Sequence, residues 1–94
     1  MTDETRLLLL KTDLGIMTTL YDGRLLQYLE AAKQEIAREG YVLSADSADD
    51  NNLQIMYAAW MWRRRDTGEG MPRMIRWLLN NRLFNNTSGG DTDG

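Results

Sequence analysis

The sequence predicts an all-α fold: a small bundle of about four helices with a long central third helix and a flexible C-terminal tail. Three observations carry this reading. Apolar residues recur at three- and four-residue steps in several separate segments, the spacing of one helix face. Glycines and the single proline fall mainly between those segments or in the tail, where helix caps and turns need them. No alternating run is strong enough to form a sheet. With 94 residues, the chain has material for one domain with one modest core.

The first helix is expected from a cap at Thr2 or Asp3 to about Leu14, with Gly15 ending it. Leu7, Leu10 and Leu14 share a face, which Leu8 and Leu9 widen. So short a helix needs a neighbour to be stable. Thr19-Leu20-Tyr21-Asp22 has the form of a capping box with Asp in place of Glu, opening a second helix that runs to about Glu39 before Gly40. Leu25, Leu29, Ala32 and Ile36 form its buried stripe, and Arg24, Gln27, Glu30, Lys33, Gln34 and Arg38 read as its solvated face.

Periodicity lapses from Tyr41 to Asp46, where Val42 and Leu43 are expected to tuck against the bundle or begin a short extended piece. Ser47 or Asp46 then caps the third helix, which has Asp49 and Asp50 in its first turn and Arg63, Arg64 and Arg65 in its last, matching the helix dipole. Leu53, Met56, Tyr57 and Trp60 lie on one face. Ile55, Ala59 and Trp62 lie about 200° round from it. A helix apolar on two faces either sits in the middle of its domain or offers the second face to a partner. The reading adopted is that it has more apolar surface than so small a fold can hide.

Asp66 to Gly70 read as a turn, and Pro72 suits the first position of a fourth helix. Met71, Met74, Ile75, Leu78 and Leu79 form its apolar side, while Arg73, Arg76 and Trp77 face outward. The domain is thus expected over 1–84, followed by a flexible acidic tail over 85–94.

Composition narrows the function. The chain has neither cysteine nor histidine, which removes thiolate chemistry and the usual general base near neutral pH. An enzyme is not expected, and neither are catalytic, cofactor-binding or metal-ligating residues: no phosphate loop, nucleotide fingerprint, zinc motif or nucleophile elbow occurs. Asp46, Asp49 and Asp50 lack the spacing of a calcium loop and read as helix capping. Asp3 and Glu4 stand where a secretory signal would be basic, and the apolar run Leu7–Leu10 is too short to span a bilayer, so neither a signal peptide nor a membrane partner is expected.

The net charge of −3 is unevenly spread. Acids outnumber bases two to one up to Asp50, whereas six arginines face Asp66 and Glu69 between Asn51 and Phe84. Arginine and tryptophan in that second half are the composition of interface hot spots. The alternatives from residues alone are a small helical DNA-binding regulator and a generic protein-interaction module.

Three segments, taken in order, resemble the head-tail connector (adaptor) proteins of tailed bacteriophages. They are Leu9-Leu10-Lys11-Thr12-Asp13-Leu14-Gly15-Ile16, the helix Leu25-Leu26-Gln27-Tyr28-Leu29-Glu30-Ala31-Ala32-Lys33, and Tyr57-Ala58-Ala59-Trp60-Met61-Trp62-Arg63-Arg64-Arg65-Asp66 followed by Met71-Pro72-Arg73-Met74-Ile75-Arg76-Trp77-Leu78-Leu79-Asn80-Asn81-Arg82. The resemblance spans most of Leu7 to Phe84. It departs where family members commonly close the last helix with a proline-aromatic-arginine sequence; here Asn80 and Asn81 precede Arg82.

The resemblance implies a virion structural protein, made in the host bacterial cytoplasm and placed at the head-tail junction. It would assemble as a homo-oligomeric ring of about twelve copies on the portal protein. The ring would extend the DNA channel used in packaging, pass DNA without sequence-specific binding and present a docking surface for the tail-side head-closure protein. Trp62, Arg65, Arg73, Arg76 and Trp77 are the residues expected at subunit or portal contacts, with the arginines facing carboxylates of a neighbour.

Overall fold

The computed structural model describes the backbone of residues 1–93 and the side chains of residues 1–84. Among these residues the chain forms four helices and no strand: α1 (Asp3–Leu14), α2 (Asp22–Arg38), α3 (Ala48–Thr67) and α4 (Arg73–Asp93). The flexible tail expected over 85–94 lies outside the residues whose side chains are described.

The caps follow the sequence at most ends. Thr2 accepts a hydrogen bond from the Thr5 N–H at 3.2 Å, and Ser47 accepts one from the Asp50 N–H at 3.2 Å. Gly15, at φ 72°, turns the chain out of α1 so that the Ile16 N–H reaches back to the Lys11 carbonyl at 2.9 Å. Gly68, at φ 68°, closes α3 two residues beyond the expected Arg65, its N–H 2.7 Å from the Arg64 carbonyl. A left-handed backbone of this kind costs any residue with a Cβ. The Pro72 carbonyl accepts the first bond of α4, from the Arg76 N–H at 3.2 Å, so Pro72 stands one position before the helix rather than within it.

The start of α2 departs from expectation. The helix begins at Asp22, and Tyr21 at its cap provides no side-chain bond. A capping box needs the acid to turn back on the N–H at the cap. Here the Asp22 carboxylate instead meets Lys11 Nζ at 2.8 Å, tying α2 to α1, while Thr18 Oγ1 accepts from the Leu20 N–H in the preceding turn.

The central place belongs to α3. Helices α1, α2 and α4 all pack on it, and α1 also packs on α2. All five residues from Tyr57 to Met61 are buried, and so are Leu53 and Ile55. Successive helical residues point about 100° apart, so five in a row are covered only when neighbours lie on every side. The expected surplus of apolar surface on α3 is therefore corrected: three flanking helices hide both faces over its middle. Leu10 of α1, Leu25, Leu29, Ala32 and Ile36 of α2, and Ile75 and Leu79 of α4 complete the core. Fully burying each large aliphatic side chain contributes roughly 1.5–3 kcal/mol.

The N-terminal end of α3 is held by buried polar groups. Asp50, 2% exposed, accepts from the Tyr41 hydroxyl at 2.8 Å, from the Ser44 N–H at 2.9 Å and from Arg82 Nε of α4 at 3.1 Å. Asn51 accepts from Arg6 Nε of α1 at 2.9 Å and donates to the Ala45 and Ser47 carbonyls. Gln54 donates to the Leu29 carbonyl of α2 at 2.8 Å. Each group thus has the partner that burial requires, and together they fix three helices and the α2–α3 connection to one end of α3. In that connection Leu43 is buried as expected, whereas Val42 is 77% exposed.

Candidate interaction surfaces

With α3 enclosed, the outward apolar surface lies on the flanking elements. On α4, Ile75 and Leu79 face the core while Met74, Trp77 and Phe84 are 56%, 62% and 70% exposed. These three follow steps of three and seven residues and so form one stripe. Met74, expected on the apolar side of α4, sits on its outward side because it lies about 100° round from Ile75. Arg73 is exposed at the head of this stripe and makes no ion pair among the described residues. Arg76 is exposed as well, but Nη1 lies 2.9 Å from a Glu39 carboxylate oxygen of the same chain. That hydrogen bond holds the Arg76 guanidinium above its ordinary pKa. Within its own chain Arg76 is therefore already paired, with Glu39.

Trp62 is half-buried rather than outward. Tyr21 and Tyr28 make T-shaped contacts with it, with ring centroids at 5.3 and 6.1 Å, an arrangement that suits the aromatic quadrupoles. The Arg65 guanidinium lies 3.8 Å above the Trp62 ring, and that of Arg64 lies 4.5 Å from the Trp60 ring. Two members of the arginine triplet therefore cover their own tryptophans, each contact contributing about 0.5–1 kcal/mol at an exposed site. Arg24 joins Tyr21, Tyr28, Trp62 and Arg65 around one shallow depression.

Of the five residues expected at contacts, Arg73, Arg76 and Trp77 thus share the α4 side of the molecule. Trp62 and Arg65 form a separate cluster with the start of α2. Leu8 and Leu9, expected to widen the packed face of α1, are instead 64% and 40% exposed, and the wider set of exposed apolar residues also takes in Met17 and Leu20 in the α1–α2 connection and Leu26 on α2. Leu8 had a legible signal, since it lies about 200° from Leu10 on the helix. Leu26 carries none, because only the packing of α1 beside α2 leaves it on a groove rim.

That groove lies between α1 and α2 and has a volume of about 270 Å³. Leu7, Leu26 and Leu29 line it, with the carboxylates of Asp3, Glu4 and Glu30 around them. A second, polar cleft beside it is lined in part by Arg6, Lys33 and Asn51. Among the described residues no helix is long and apolar enough to cross a membrane.

The chain matches no family model, no curated protein and no solved structure.

Proposed function

We propose that the protein is a head-tail connector of a tailed bacteriophage, a non-catalytic subunit that forms a ring on the portal and joins the capsid to the tail-side head-closure protein. The observation that carries this reading is the outward stripe Met74–Trp77–Phe84 beside Arg73 on a small, internally complete bundle. A Trp with a free Arg next to it is the chemistry of an interface hot spot. The order and spacing of the helical segments that resemble connectors add to it.

A ring subunit must present two unlike surfaces, because head-to-tail packing joins different patches. The α4 stripe and the acid-rimmed groove between α1 and α2 meet that requirement. An acidic chain also suits a conduit through which DNA must slide, since strong phosphate binding would hold it back. The arginine triplet supports the regulator alternative less well, two of its guanidiniums being spent on the rings of Trp60 and Trp62.

The experiment is to mix the purified protein with the portal of its own virus and examine the particles by electron microscopy. A ring of extra density on the portal is the expected result. A protein that ignores the portal, yet shifts DNA in a gel with a steep salt dependence, would favour the regulator.

A further inference from the structure

The groove between α1 and α2 and the outward face of α4 are complementary in charge, and each exposes apolar side chains. The groove has leucines within it, Leu29 buried and Leu7 half-buried, and exposed carboxylates around it. Asp3 is paired with Arg6 at 2.7 Å, and one Glu30 oxygen accepts from Gln34 at 3.1 Å. Glu4 has no partner among the described residues. On α4 the arrangement is reversed: an exposed indole, Trp77, stands one helical turn from Arg73, a cation that has no ion-pair partner among the described residues.

We propose that the Trp77 face of α4 of one copy seats in the α1–α2 groove of a second copy, with Trp77 over Leu7 and Leu26 and Arg73 against Glu4 and Glu30. This rests on the connector reading and deepens it by naming the subunit contact. The two surfaces come from different helices, so the contact is heterologous. Each bound pair still offers one free groove and one free α4 face, as ring growth requires. Indole burial supplies most of the attraction. The charges fix orientation and make association weaken with salt.

Two single-face variants test it, both altering exposed residues: Trp77→Ala removes the inserting face, and Glu4→Lys with Glu30→Lys reverses the rim of the groove. Circular dichroism establishes that each stays folded, and sedimentation velocity reads association up to millimolar concentration. The parent should self-associate, less so at high salt, and each variant alone should do so about 30-fold more weakly or worse. Mixed, the two variants retain one intact contact and should give a dimer of one copy of each that grows no further.

Self-association of the groove variant at parental strength, failure of the mixture to dimerise, or a parent that stays monomeric throughout would each overturn the contact. The connector reading fails separately. A parent that grows into open filaments, while the mixture still stops at a dimer, would defeat the ring and leave this contact standing. A closed ring formed by the groove variant would do the reverse.

Discussion

Arg82, midway along α4, donates from Nε to the Asp50 carboxylate of α3 at 3.1 Å, and the Asp50 side chain is only 3% exposed. The pair joins α4 to the start of the central helix. Asp50 also serves Tyr41 and Ser44, so removing it strands three donors. Asp50→Ala should cost about 3–5 kcal/mol, the loss expected when one partner of a buried ion pair is deleted. Against a total stability of roughly 5–15 kcal/mol, urea denaturation would detect this easily. A loss under about 1 kcal/mol would mean that this end of α3 is held by packing alone.

Tyr41 gives the fold a dependence on alkaline pH. Burial, and then donation to Asp50, raise its hydroxyl above the ordinary value of 10.0. The folded state therefore keeps a proton that the unfolded chain releases. This contribution to stability is fully present below about pH 10 and is lost as pH rises through the folded value. Tyr57 behaves in the same direction, chiefly through burial and then through Glu35 and Glu39. Urea melts should show stability falling above about pH 10, and Tyr41→Phe should shallow that decline without abolishing it. An unchanged slope in the variant would remove Tyr41 from the account.

Leu8 and Leu10 provide a paired test of the orientation of α1. Leu10 is fully buried and Leu8 is 64% exposed. Leu10→Ala should destabilise by about 2–5 kcal/mol through lost contact and a residual cavity. Leu8→Ala should stay within about 0.5 kcal/mol of the parent. Equal effects in thermal melts would show that α1 is rotated from the orientation described.

Trp60 and Trp77 should separate stability from assembly. The Trp60 indole N–H donates to the Gly70 carbonyl at 3.1 Å, clamping the α3–α4 turn, and its ring is buried. Trp60→Ala should cost about 3–5 kcal/mol. Trp77→Ala, and likewise Arg73→Ala, should leave the melting temperature nearly unchanged while reducing association by about 2 kcal/mol or more. Both variants assembling as the parent does would remove the α4 face from the interface.

Gly68 tests the end of α3. Its left-handed backbone, with no heavy atom beyond its own chain neighbours within 4 Å of where a Cβ would stand, makes Gly68→Ala a conformational penalty rather than a clash. About 1 kcal/mol of lost stability is expected.

The sequence by itself determined the helices, most of their caps and the buried stripe of α2. These depend on residues near one another along the chain, and Leu25, Leu29, Ala32 and Ile36 lie on one side of any helix built from them. It also marked Trp77 as outward, from its position about 200° away from Ile75. Tertiary structure alone decided that α3 is enclosed, because an apolar face looks the same in sequence whether a flanking helix or a separate molecule covers it. It also decided that Asp50 belongs to a buried network rather than merely to a helix cap, that Arg76 spends its charge on Glu39, and that Leu26 stands at the edge of an acid-rimmed groove. Each of these depends on groups brought together from distant parts of the chain, and periodicity records the direction of a side chain from its own helix, not what stands opposite.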